Sequence, residues 1–262
     1  MSVDNLKRTL DRATSFDIEA GLTSFRRYHR IVTLIAARTG HTPRIGAAVF
    51  AALSPNNDYH GNLRDAHALL AAASRGDRLD SFGVSTYGPN KRKAWAIAHG
   101  EDPLALIVAK KTRSFFLNID NPDDPVPVTI DGHMYNIWRC QRENLVGLRW
   151  RNHQYDRIAD DVRALAQECK MVPCQMQGVL WITWRRIHRI RTSDQLTFWD
   201  EDLAAARLGL HRSLPLESPD LKIHESNPRS NGSCRPSPPN GKPSTVFPAS
   251  TARASTGPDS PA

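Results

Sequence analysis

KKTRSFFLNIDNPDDPVPVTIDGHMYNIWRC, residues 110–140, holds a Lys-Thr pair that opens an apolar run, a loop crowded with Asn, Asp and Pro, and a second apolar run that begins at an aspartate. The first run has helical spacing and closes a segment that starts at Pro103, so a helix is expected over residues 103–117. The prolines at 122, 125 and 127 cannot continue it, because they lack the amide and fix φ. An aspartate ahead of a helix accepts a hydrogen bond from a free amide of the first turn, so the next helix is expected to start at Asp131 and run past Trp138. Lys111 and Asp131 thus stand twenty residues apart, the first opening an apolar run and the second at the head of the next helix.

Working outward, apolar residues recur at helical period through residues 18–37, 43–53, 62–73, 90–99, 154–169 and 173–190, with a short last helix at 201–208. Thr42-Pro43, Asp102-Pro103 and Pro173 mark starts, since proline is tolerated in the first turn where the amides have no partner. Alternating β-branched runs are absent, so the fold class is all-α. Residues 1–17 read as an N-terminal extension, 18–212 as one helical domain, and 213–262 as a disordered tail, which carries ten of the eighteen prolines and little apolar periodicity.

The 262 residues carry 35 Lys and Arg against 27 Asp and Glu, a formal charge of +8. Residues 213–262 hold five basic against four acidic residues, so +7 belongs to the body. That surplus favours a polyanionic partner, with DNA expected. Four cysteines without a C-x-x-C pair suit a reducing compartment and argue against an iron–sulfur or zinc site, so no metal or cofactor is expected. The N-terminus has no signal-peptide apolar stretch and no run reaches membrane-spanning length, so a cytoplasmic protein without membrane contact is expected. No obligate protein partner is evident.

The 110–140 stretch resembles the core of the helix-hairpin-helix DNA glycosylase superfamily, in particular endonuclease III and its relatives. There a hairpin ending G-x-K-T leads into an apolar helix, a loop, and a short run closing on V-D-x-H. Lys111 and Thr112 match the Lys-Thr, Phe115 to Asn118 the helix, and Ile130, Asp131 and His133 the V-D-x-H. Upstream and in the same order, AVFAALSPNNDYHGNLRDAHALL (48–70) resembles the family's L-L-S-A-Q-x-x-D segment, and TYGPNKRKAWAI (86–97) its F-Y-x-x-K-A-x-x-I stretch. The resemblance covers roughly residues 45–140 and implies a two-lobed glycosylase-like fold.

It further implies base excision. Cleaving an N-glycosidic bond leaves positive charge on the sugar, which a fixed carboxylate near C1′ stabilises; Asp131 is the matching residue. A lysine amine attacks the same carbon and forms a Schiff base, the role that falls to Lys111. A base reaches such groups only after leaving the stack, which requires a pocket, a residue to fill the hole, and phosphate contacts. Asn56 stands near the hole-filling position, and Tyr59 and Trp95 are candidates for stacking. Lys110, Arg113, Lys91 and Lys93 are candidates for contact with the DNA.

The chain departs from the family in three places. Leu106, Ile107, Val108, Ala109 and Lys110 replace the hairpin L-P-G-x-G-x, removing both glycines whose bare backbone approaches a phosphate. The cysteine cluster is missing, and residues 154–191 match no glycosylase helix. Related enzymes of phage-type DNA base hypermodification, acting as pyrophosphorylases, fit the glycine-poor hairpin as well, and a DNA-binding module without catalysis is a third reading. Asp131 also reads as a plain helix cap worth about 1 kcal/mol, and Lys111 as a solvated charge beside Lys110. His133 reads as a structural, hydrogen-bonding histidine. The cluster Asn56, Asn57, Asp58 reads as a helix-ending turn, and WITWRRIHRIR (181–191) as either a phosphate-contacting stripe or an amphipathic helix with its arginines in water.

Overall fold

The computed structural model describes residues 2–145 and 151–190, and among these every regular element is helical. The elements are α1 (Ser2–Leu10), α2 (Ser15–Arg38), α3 (Pro43–Leu53), α4 (Tyr59–Arg75), α5 (Gly88–Ala98), α6 (Pro103–Leu106), α7 (Lys110–Asp120), α8 (Gly132–Arg139), α9 (Asn152–Glu168) and α10 (Pro173–Ile187), with one 3-10 turn at Leu79–Ser81. The expected helix at 201–208 and the tail at 213–262 lie outside the described residues.

Local chemistry sets most of the starts. Thr42 caps α3 ahead of Pro43, Asp58 caps α4 through the amide of Gly61, Asp102 caps α6 ahead of Pro103, and Thr14 and Asp17 form a reciprocal capping box on α2. Gly76 ends α4 in the left-handed region at φ 73°, the conformation a residue without Cβ adopts at little cost.

Two differences from the sequence reading have physical causes. The segment 103–117 is two helices: the chain breaks at Ile107, Val108 and Ala109, where Ile107 is buried and Val108 projects into solvent. None of these three residues has positive φ, so this turn closes without the glycines whose absence the sequence made conspicuous. Residues 2–10, read as part of an extension, form α1, whose Leu6 is fully buried among residues of α8, α9 and α10.

The apolar side chains gather in two clusters. One draws on α2, α3, α4, α5 and α7, with Phe50, Leu53, Leu69 and Phe116 at its centre. The other draws on α1, α8, α9 and α10, with Leu6, Met134, Ile158 and Leu180. Helices α2 and α10 join them, crossing where two glycines meet. A Cβ on Gly178 would lie 2.7 Å from the carbonyl oxygen of Gly21, and one on Gly21 would collide with the backbone of Val179. Backbone cannot give way as a flexible side chain can, so the crossing admits only glycine at both positions.

Gly178→Ala is therefore expected to cost about 1–3 kcal/mol in chemical denaturation, the usual penalty for overpacking a tight interior. Gly83→Ala, where a Cβ meets nothing within 4 Å, is the control and should fall within about 0.5 kcal/mol of the parent.

Candidate functional site

A cavity of about 430 Å³ opens beside the first apolar cluster, with walls from α2, α3, α4, α7, α10 and the residue that caps α8. One side is aromatic: Phe25 and Tyr28 from α2, Phe50 from α3, Tyr59 from α4 and Phe115 from α7. Neighbouring rings lie 5.5 to 6.5 Å apart, several edge to face, the arrangement the ring quadrupole favours. Helix α10 adds Gln177, Trp181 and Arg185.

Asp131 is the α8 cap, and both of its oxygens are engaged. Oδ1 accepts from the Met134 amide at 2.9 Å, and Oδ2 accepts from the indole Nε1 of Trp181 at 3.0 Å. The extended residues ahead of it are pinned in turn. The Thr129 amide donates to Gln177 Oε1 (2.9 Å), and the Thr129 hydroxyl accepts from Asn118 Nδ2 (2.9 Å). The Ile130 amide donates to the Tyr155 hydroxyl (3.2 Å), which itself donates to the Val128 carbonyl (2.9 Å). The Arg185 guanidinium sits 4.2 Å over the Trp181 ring, and in that desolvated setting the cation–π contact is worth about 2 kcal/mol.

Lys111 lies in the first turn of α7 and lines the same cavity, as does Thr112. Its neighbour Lys110 turns instead to α9, where its Nζ sits 2.6 Å from Asp156 Oδ1, an exposed pair worth about 0.2–1 kcal/mol. The choice between adjacent lysines that the sequence left open is thus made by the helix: one faces the cavity, the other a partner outside it. Tyr155 ties this turn to Asp131, since its hydroxyl also lies 3.1 Å from Ser114 Oγ on α7. Burial of that phenol raises its pKa above the usual tyrosine value, keeping it neutral and able to donate.

Of the other candidates, Tyr59 lines the cavity. Asn56 does not; it takes a left-handed turn conformation at φ 57° and donates to the Tyr87 hydroxyl, while its neighbours Pro55, Asn57 and Asp58 do line the cavity. Lys91 spans the Phe82 ring, 4.2 Å from its centre, and donates to that residue's carbonyl. Trp95 packs on Phe82 and His99 within the first cluster. Lys93, on α5, and the exposed Arg113, on α7, stand outside the cavity lining. The 181–191 segment is not one solvated face: Trp184 is core, Arg185 is buried, and Arg186 bridges to the buried Asp17 at 2.8 Å. Arg191 lies outside the described residues. Arg27, Tyr28 and Gln177 also line the cavity, and no local motif announces them.

His133 differs from the expected hydrogen-bonding role, because its Nδ1 is buried without a partner and its ring meets Trp181 edge-on at 6.0 Å. Burial lowers its pKa below 6.5, and Arg185 and Lys111 push it the same way against the pull of Asp131. A histidine whose folded-state pKa is depressed contributes stability that is complete above about pH 6.5 and is lost as pH falls toward the folded value, where the unfolded chain binds the extra proton. His67 and His188 are lowered as well. Thermal midpoints should therefore fall on acidification below about pH 6.5, and His133→Gln should reduce the steepness of that fall.

A family model described as a family of unknown function, DUF7178, matches residues 1–188, the span that contains all ten described helices. No curated protein matches the chain, and no solved structure does. With most of its length matched, from α1 through α10, the chain belongs to the DUF7178 family.

Proposed function

We propose that the protein excises a base from DNA. A nucleotide swung out of the strand delivers its base to the aromatic-walled cavity, Asp131 stabilises the cation that develops on the sugar, and the Lys111 amine attacks C1′ as the glycosidic bond breaks. The observation that carries this reading is that Lys111 and Asp131, from different helices, line one cavity of a size suited to a nucleobase. The Trp181 and Met134 donors hold the carboxylate without side-chain reorganisation, as charge stabilisation requires. Arg27 and Arg185 supply positive charge for the phosphates that flank an extruded nucleotide. The short helix α6, the turn at 107–109 and α7 suit a glycine-free form of the DNA-contacting hairpin, and the division of the interior into two apolar clusters suits a two-lobed glycosylase-like fold.

Arg27 and Arg185 also favour a second reading, pyrophosphorylase chemistry on a hypermodified base, because a departing diphosphate needs cations inside the site. Release of inorganic pyrophosphate from a base bearing an activated substituent, rather than of a free base, distinguishes the two.

Borohydride trapping on oligonucleotides with an abasic site tests the proposal. The parent protein should form a covalent adduct that Lys111→Ala abolishes and Lys110→Ala retains. With a base in place, Asp131→Asn should slow its release by roughly 10²–10³. Binding of DNA without any adduct or released base would remove the proposal and leave a module that only binds.

A further inference from the structure

Gln177 brings to the cavity wall a hydrogen-bond donor whose direction is fixed. The residue lines the cavity and is 7 % exposed. Its Oε1 accepts from the Thr129 amide at 2.9 Å, and a backbone amide only donates, so the side chain cannot flip and its NH₂ group is turned away from that amide. Among the described residues Nε2 meets no acceptor, yet it is not shut off from solvent as the unpartnered Thr183 hydroxyl further along α10 is. The small exposure left to the residue is onto the cavity it lines, so the two hydrogens of the amide open there.

One helical turn further on, Trp181 stands on the same face of α10 and donates to Asp131 Oδ2 at 3.0 Å. The two side chains reach one extended stretch, Gln177 at residue 129 and Trp181 at residue 131. A group that only donates and a carboxylate that only accepts thus lie side by side on one wall. They do not satisfy each other, since the carboxylate is engaged by Met134 and Trp181.

A ligand that covers so deeply set an NH₂ group without returning an acceptor loses about tenfold or more in affinity, so the group selects what binds. We propose that Gln177 donates to a carbonyl oxygen of the base, so that the site takes a keto base and disfavours adenine, whose acceptors are nitrogens recessed in its rings. This rests on the cavity receiving a nucleobase. The wall also matches the charges of bond cleavage. As the C1′–N bond breaks, its electron pair passes into the base and gathers on the ring nitrogen and the conjugated carbonyl oxygens, while the sugar turns positive. Lys111 supplies the pair for the new C1′–N bond, and the departing base anion takes up the proton the amine gives up. Asp131 serves the positive end of this separation and Gln177 the negative end, so the hydrogen bond from Gln177 strengthens as the base departs.

The carbonyl is isolated by comparing 2′-deoxyuridine with its 2,4-difluorophenyl counterpart, which keeps the shape and replaces both carbonyls by fluorine, and with 2′-deoxyadenosine. Each is presented to the full chain as a nucleoside and as the one variable base of a short oligonucleotide, and the assigned side-chain amide resonances of Gln177 are followed by NMR. In at least one format 2′-deoxyuridine should bind and move those resonances, and the other two should bind at least ~10-fold more weakly. Gln177→Glu keeps an oxygen for the Thr129 amide and, ionised at about pH 8, has no hydrogen for the base. It should bring 2′-deoxyuridine and its fluorinated counterpart within about twofold of each other. Resonances that stay in place with 2′-deoxyuridine bound, equal binding by the parent, no binding of 2′-deoxyuridine in either format, or a preference that survives in the folded variant would overturn the inference. The parent's resonances and preference decide the matter if the variant does not fold. Carbonyl recognition without any borohydride adduct would leave the inference standing and remove the excision chemistry; an adduct formed with the Gln177 amide unmoved would do the reverse.

Discussion

The crossing of α2 and α10 at Gly21 and Gly178 is the constraint on which the remaining geometry rests. Backbone meets backbone there, so the two helices approach more closely than side-chain packing alone permits. The contact brings Trp181 and Arg185, about one and two turns further along α10, to the cavity and puts the indole against Asp131. From the other direction, Gln177 next to the crossing holds Thr129, and with it the extended residues that end at that aspartate. One pair of residues without side chains thereby sets the register of a wall of the site.

Asp131 serves two purposes with two oxygens. One satisfies a free amide at the start of α8, a contribution of about 1 kcal/mol that any well-formed cap makes. The other is held by a tryptophan beside a buried arginine. The hydroxyl of Tyr155 provides the matching restraint on the lysine side, reaching α7 and the 128–130 segment from α9. The helix start that carries Lys111 and the segment that ends at Asp131 are therefore tied to each other through Tyr155.

What the sequence discloses about this molecule follows from how local each signal is. Helix starts at Thr42, Asp102, Asp131 and Pro173 were legible because a cap and a proline act within a few residues. The helix α1 was not, since nine residues heavy in charge gain their stability from Leu6 entering a distant core. The twenty-residue spacing of Lys111 and Asp131 brought out the pair that lines the cavity, whereas Lys91 and Trp95 looked equally suited to nucleic acid and are spent on packing against Phe82. The part played by Gln177 had no sequence signature at all, because it depends on the amide of Thr129, distant in the chain.

The α2–α10 pairing also bears on how the protein is made. Residues 21 and 178 are far apart in the chain, so their contact closes a long loop and forms only after the intervening helices have been made. During synthesis the first cluster can gather as soon as α7 has emerged, whereas the small-residue face of α2 stays uncovered until α10 follows. A nascent chain thus passes through a stage in which half of its interior is settled and the glycine face is open to any other helix. Completion of the site and withdrawal of that adhesive surface are then one and the same folding event.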